Sequence, residues 1–217
     1  MPSKRTMVLL SLLLATAVFI FWLCLLIVPA RVAEPCPEEC HCLTGGIQIT
    51  CSAPSLTTIP LIRFPNVRKL DISYSKITLL EKDSFFSRGL TQLEELIINN
   101  CGLRTIELGA FNGLTELTTL SMKNNKISEI SPGTFQNLNS LEALDLNKKK
   151  LEHWDSVVFS GLPNLKQIDL SYNKLQYLQP DTFRGLPKLQ RLYLYNNTGL
   201  YIPTDSSFHP FSFFDTS

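Results

Sequence analysis

One pattern, written six times at a near-constant interval, constrains this chain more than anything else in it. The segments Val67-x-x-Leu70-x-Ile72, Leu93-x-x-Leu96-x-Ile98, Leu117-x-x-Leu120-x-Met122, Leu141-x-x-Leu144-x-Leu146, Leu165-x-x-Ile168-x-Leu170 and Leu189-x-x-Leu192-x-Leu194 align without a gap. Their fourth positions lie 26 residues apart once and then 24 apart four times. A phenylalanine recurs in phase at Phe85, Phe111, Phe135, Phe159, Phe183 and Phe208. Self-similarity at this period marks a stacked-repeat architecture, because one unit cannot bury its apolar face alone.

Within each unit the L-x-L stretch alternates as a short strand, so its leucines point inward and its x residues face solvent. The following turn carries Ser75, Cys101, Asn125, Lys149, Asn173 and Asn197 in turn. A stack of asparagine amides there satisfies backbone groups that burial would otherwise leave unpaired. The remainder of each unit returns over the far side and drops its phenylalanine into the same core. The expected fold is an α/β-type repeat solenoid: a parallel β-sheet on a concave side and a mostly irregular or 3-10 convex side.

The ends of the chain add the compartment. Met7 to Ala30 is a nearly unbroken apolar run behind Lys4 and Arg5, the pattern of a secretory signal. Val28-Pro29-Ala30 suits cleavage after Ala30, but the run is also long enough to be an uncleaved membrane anchor. Both readings place everything after Ala30 outside the cell. Of six cysteines, Cys36, Cys40, Cys42 and Cys51 crowd into sixteen residues, while Cys101 stands alone. A tight even cluster in an oxidising compartment reads as two disulfides with three possible pairings. C-x3-C-x-C is not the C-x2-C knuckle of common zinc sites, so no metal or other cofactor is expected.

The repeat resembles the extracellular leucine-rich-repeat family, whose 24-residue unit runs L-x-x-L-x-L-x-x-N-x-L. Cys36-Pro37-Glu38-Glu39-Cys40-His41-Cys42, then Cys51 and Leu56-Thr57-Thr58-Ile59-Pro60, look like that family's N-terminal cap. The resemblance implies the bonds Cys36–Cys42 and Cys40–Cys51. It also implies a receptor or adhesion ectodomain, of Slit, Toll or connectin type, that recognises a protein partner. Gly45-Gly46 suits a hairpin turn, with Ile47 and Ile49 alternating into the core. The organisation expected is a signal over 1–30, the cap over 31–62, six repeats over 63–211 and the start of a seventh over 212–217. Phe214 is placed at that repeat's first leucine position, and Phe208, Phe211 and Phe213 would stand near an open edge. Either the chain is a truncated form of a longer receptor or a partner covers that edge.

Two ladder positions depart from asparagine. Cys101 is read as a buried thiol donating weakly to a carbonyl. Lys149 can donate but not accept, and is expected to swing its head to solvent or to carbonyls. Lys148-Lys149-Lys150 reads as a solvated basic edge or a binding patch.

The outward strand positions form three rows: Lys69, Glu95, Thr119, Ala143, Gln167, Arg191; then Asp71, Ile97, Ser121, Asp145, Asp169, Tyr193; then Ser73, Asn99, Lys123, Asn147, Ser171, Tyr195. Tyrosine and arginine are enriched in interface hot spots. Arg191, Tyr193, Tyr195 and Tyr172, with Asp145 and Asp169 beside them, therefore form the candidate contact surface. Asn196-Asn197-Thr198 makes Asn196 the candidate glycan acceptor.

Catalysis has little to stand on in this sequence. His41, His153 and His209 are scattered through the repeat frame, and no nucleophile elbow, phosphate loop or zinc-protease motif occurs. Asp145 and Asp169, the one pair suggesting acid–base work, sit on an open strand face with nothing to shift their pKa values. The net charge of +1 becomes −1 once Lys4 and Arg5 are left out, which is no footprint for nucleic acid. The expected function is extracellular protein recognition, with a secreted matrix-organising protein as the alternative. Membrane contact is expected only if the leader stays on, and oligomeric state is not legible.

Overall fold

The computed structural model describes residues 36–152, 155–178 and 182–202 and the backbone of Phe214–Asp215. Cys36–Ser217 forms one compact unit, built around a sheet of nine short strands. Strands β1 (His41–Leu43) and β2 (Gln48–Thr50) pair antiparallel. All later neighbours in this sheet pair parallel: β3 (Lys69–Asp71), β5 (Glu95–Ile97), β7 (Thr119–Ser121), β8 (Ala143–Asp145), β9 (Gln167–Asp169), β10 (Arg191–Tyr193) and β11 (Phe214–Asp215). A second, two-stranded sheet joins β4 (Leu79–Leu80) to β6 (Thr105–Ile106). No α-helix occurs among the described residues; the returning segments are turns, with one 3-10 turn at Phe86–Arg88.

The register follows the repeat. Leu70, Leu96, Leu120, Leu144, Ile168 and Leu192 lie opposite one another from strand to strand, and all six are buried. A one-residue slip would turn every one of them to solvent, so the pairing is strongly specified. Phe214 pairs with Leu192. It therefore sits in the fourth-position row and not at a first leucine, because this last step is two residues shorter than its predecessors.

Behind the sheet the phase-locked phenylalanines form a continuous column. Phe85, Phe111, Phe135, Phe159 and Phe183 stack in sequence with ring centroids 6.1, 6.2, 6.3 and 5.9 Å apart. Offset stacking of buried rings adds about 0.5–1.5 kcal/mol per pair to their area burial. Phe208, the sixth in the series, lies outside the described residues, as do Phe211 and Phe213.

Cys36 is bonded to Cys42 and Cys40 to Cys51. These bonds staple the β1–β2 hairpin, which pairs through β2 with β3, where Ile49 meets Leu70. Gly46 permits the hairpin: its φ is +88°, and a β-carbon there would fall 2.1 Å from the Phe64 ring. Ile49 is buried, but Ile47 is exposed. Ile47 sits in helical backbone (φ −70°, ψ −36°) at the end of the turn, before the strand begins, so alternation does not reach it. Arg88 ties the segment after the hairpin to the first repeat, donating from Nε to Ile59 O at 2.9 Å and from Nη1 to Ser84 O at 2.7 Å.

Phe135→Ala is expected to lower unfolding stability by roughly 3–5 kcal/mol, as for other fully buried aromatic truncations. Phe86→Ala, on an exposed side chain, should change it by no more than about 0.5 kcal/mol. Urea unfolding followed by circular dichroism distinguishes the two; similar midpoints for both variants would contradict the column's role.

Candidate functional site: the solvent face of the sheet

Three residues beyond the ends of β3, β5, β7, β8, β9 and β10 comes a residue of left-handed backbone, Tyr74, Asn100, Asn124, Lys148, Tyr172 and Asn196 in turn, with φ between 53° and 61°. This conformation reverses the chain so that the next residue points back inside. Asparagine tolerates it well, whereas tyrosine and lysine adopt it at some cost. The inward residue is the ladder residue. Asn125 Oδ1 accepts the N–H groups of Cys101 (3.1 Å) and Leu103 (3.0 Å), and its Nδ2 donates to Ile98 O (2.6 Å) and Met122 O (2.7 Å). Asn173 repeats the arrangement one step on, accepting from Lys149 and Leu151 and donating to Leu146 O and Leu170 O. Asn197 accepts from Leu175 N and donates to Leu170 O and Leu194 O. In the first two repeats Ser75 Oγ lies 2.8 Å from Ile72 O and 3.2 Å from Cys101 Sγ, while Cys101 donates to the same carbonyl at 3.2 Å. Burial raises the Cys101 pKa, partly offset by the Ser75 hydrogen bond. The thiol therefore stays protonated.

Lys149 is buried, not swung to solvent, and its Nζ donates to Met122 O. The run Lys148-Lys149-Lys150 is thus split, with its outer members exposed and its middle one in the ladder. Burial, only partly offset by the Asp145 charge, pulls the Lys149 pKa from 10.5 down to about 7. An ammonium offers no acceptor, so the N–H groups of Asn125 and Ile127 lack the side-chain partner that Lys149 and Leu151 find in Asn173.

On the solvent side, the third row departs from expectation. Ser73, Asn147 and Ser171 are buried. Their backbone N–H groups are claimed by carboxylates two residues earlier: Ser73 by Asp71, Asn147 by Asp145 and Ser171 by Asp169, each at 2.9 Å. Lateral bonds then join the strands. Asn99 N donates to Ser73 Oγ, Ser121 Oγ and Lys123 N donate to Asn99 Oδ1, and Asn147 Nδ2 donates to Asp169 (3.3 Å). Asp145 and Asp169, opposite each other on β8 and β9, are therefore components of a polar belt. Burial and the neighbouring Asp169 charge raise the Asp145 pKa, against the Asn147 N–H and the charges of Lys123 and Lys149. The sequence missed this belt because its lateral bonds join residues of different repeats.

The belt gives way to aromatic surface at β10. Tyr193 lies opposite Asp169 and stacks on Tyr195 with centroids 5.8 Å apart and planes inclined by 25°. Arg191 is exposed at the start of the same strand. Tyr172 is half exposed at the left-handed tip of β9, on the rim and outside that stacked pair. Asn196 and Thr198 are exposed. A second stacked pair, Tyr177 with Tyr201 at 5.9 Å, lies off the main sheet where Tyr177 and Tyr201 form a parallel bridge. The sequence rows did not include it, although its 24-residue spacing was there to be read. No metal-binding group of three or more His, Cys, Asp or Glu occurs among the described residues.

Short parallel strands in one register, an inward asparagine after each and a phenylalanine column behind them define a leucine-rich-repeat solenoid. Family-level comparison agrees: the leucine rich repeat model matches residues 91–151 and 141–198, and the chain belongs to the leucine-rich-repeat family. Among curated proteins it is similar to amphoterin-induced protein 2 of Rattus norvegicus, 30% identical over 94 residues, covering 42% of this chain and 18% of that protein. It is also similar to human immunoglobulin superfamily member 10, 35% identical over 83 residues, which are 38% of this chain and 3% of the relative. The chain thus spans less than a fifth of either relative. The solved TLR13–ssRNA13 complex shares the fold, with a TM-score of 0.64 at 24% identity over 76% of this chain and 25% of that one.

Lys149→Asn should restore the ladder and raise stability at pH 7 by roughly 1–3 kcal/mol, the cost of leaving a buried backbone group unsatisfied. The wild type should also show a pH dependence that the variant lacks. The folded pKa lies below the unfolded one, so the unfolded chain binds more protons between them and stability rises with pH above about 7. Below pH 7 the penalty is present in full. Urea midpoints of both proteins from pH 6 to 9 check this; parallel profiles would contradict it.

Proposed function

We propose that this chain is an extracellular protein-recognition module, whose partner lies against the solvent face of the sheet at β8–β10. The observation that carries this reading is the stacked Tyr193–Tyr195 pair beside exposed Arg191, on a rigid strand and next to the Asp169 carboxylate. Large amphipathic rings that are already ordered lose little entropy on binding, and tyrosine and arginine dominate interface hot spots. The belt from Asp71 to Asp169 leaves its acids largely engaged, which favours the aromatic end as the contact surface.

The compartment is supported by the two disulfides of the hairpin region, which persist in oxidising environments. The apolar leader of the sequence agrees; it lies outside the described residues. Among the described residues no helix is long and apolar enough to cross a membrane. Asn196 is proposed as a glycan acceptor, its side chain exposed at a strand tip and its Thr198 accessible. A glycan there would restrict the partner to the Arg191 side of the face. A hydrolytic role for Asp145 and Asp169 has less support, since the belt hydrogen bonds already occupy them.

The double variant Tyr193→Ala/Tyr195→Ala should weaken an affinity-isolated protein partner at least tenfold, about 1.4 kcal/mol, while secretion and circular dichroism stay unchanged. Unchanged affinity would refute the assignment.

A further inference from the structure

Stacking the repeats brings together a set of cations that the linear sequence disperses. The residue that follows each ladder position is Lys76, Gly102, Lys126, Lys150 and Lys174 in the first five repeats. All four lysines are exposed, between a buried residue on either side. Their backbones fix them on successive rungs: Lys126 N donates to Leu103 O (2.7 Å), Lys150 N to Ile127 O (3.2 Å) and Lys174 N to Leu151 O (2.9 Å). Three exposed lysines thus stand on successive rungs along one rim, and exposed Lys148, two residues before Lys150, adds a fourth cation.

Like charges placed directly opposite across strands repel, and the rim does little to offset this. Glu152 lies 3.8 Å from Lys174; among the described residues, no carboxylate pairs with Lys126, Lys148 or Lys150. Elsewhere the same stacking is used the other way: Arg68 pairs with Glu94, Lys69 with Glu95 and Lys166 with Glu142 between consecutive rungs. The lysine row lacks that alternation over Lys126 and Lys150.

We propose that this rim binds a linear sulfated polysaccharide, its sulfates running along the Lys126–Lys150–Lys174 column. A regular row of cations complements a polyanion of regular charge, and each contact releases a condensed counterion. Lysine supplies compact point charges, whereas phosphate recognition favours the bidentate arginine fork. No aromatic side chain occupies the row, as the base-stacking grooves of single-stranded nucleic-acid binders require. This surface is separate from the Tyr193–Tyr195 face.

Heparin is the probe. The secreted wild-type protein should be retained on a heparin column at 0.15 M salt, a condition at which exposed charges act over about 8 Å. Lys126→Gln/Lys150→Gln should bind at least tenfold more weakly, with a log–log salt slope smaller by about 1.5. A matched charge loss elsewhere, Lys82→Gln/Lys188→Gln, should bind as wild type, and so should Tyr193→Ala/Tyr195→Ala, which tests the protein-recognition face alone. Oligouridylate of equal charge should compete poorly. Failure of the wild type to be retained, equal losses in both lysine pairs, or equal competition by oligouridylate would each overturn the proposal.

Discussion

Every rung of this solenoid buries backbone N–H and C=O groups that its own turn cannot satisfy, and the structure depends on how the next rung supplies the partners. The ladder asparagine is the answer, because a side-chain amide both donates and accepts. Its oxygen takes two N–H groups of the preceding rung and its nitrogen reaches carbonyls of both rungs, as at Asn125 and Asn173. Where the residue is not asparagine, part of that service is lost. Cys101 and Ser75 each offer a single proton, which both direct to Ile72 O, and Lys149 donates to Met122 O at the expense of its ordinary protonation. The phenylalanine column adds apolar burial at the same period. Hydrogen bonding and packing therefore select one stacking register.

That register shapes the exposed face. The three-residue strands leave the third-row N–H groups without ladder partners, and Asp71, Asp145 and Asp169 bend back to take them. Acids that look free in a row of outward positions are thereby drawn into the sheet's own hydrogen bonding. The consequence is a face of two parts: a polar belt over β3 to β9 in which carboxylates, amides and backbone N–H groups bond to one another, and an aromatic end at β10 where Tyr193 stacks on Tyr195.

The repeat, its strands and its inward phenylalanines were legible because each depends on residues close in sequence and on a constant period. The cysteine cluster was legible because its members lie close in sequence. Depth was harder to read. Alternation says which side of a strand Ser73, Asn147 and Ser171 occupy, but their burial comes from neighbours 24 residues away. Ile47 was misplaced because the turn carries helical backbone one residue further than a tight hairpin would. Phe214 was misplaced because the final step is shorter than the rest. Lys149 could be flagged as odd, yet solvent or a carbonyl were equal choices until the surrounding rungs closed over it. The lysine rim shows the converse case: its members sit in the sequence at regular spacing and become a site only when the rungs are stacked.

Native-state hydrogen exchange at single amides tests the ladder account most directly. Asparagine side chains cover the amides of Cys101, Leu103, Lys149 and Leu151, which should exchange slowly, near the rate set by global unfolding. The amides of Asn125 and Ile127 face Lys149 and should exchange at least tenfold faster. Equal protection at all six would show that the ladder does not depend on the side-chain acceptor and would contradict the account.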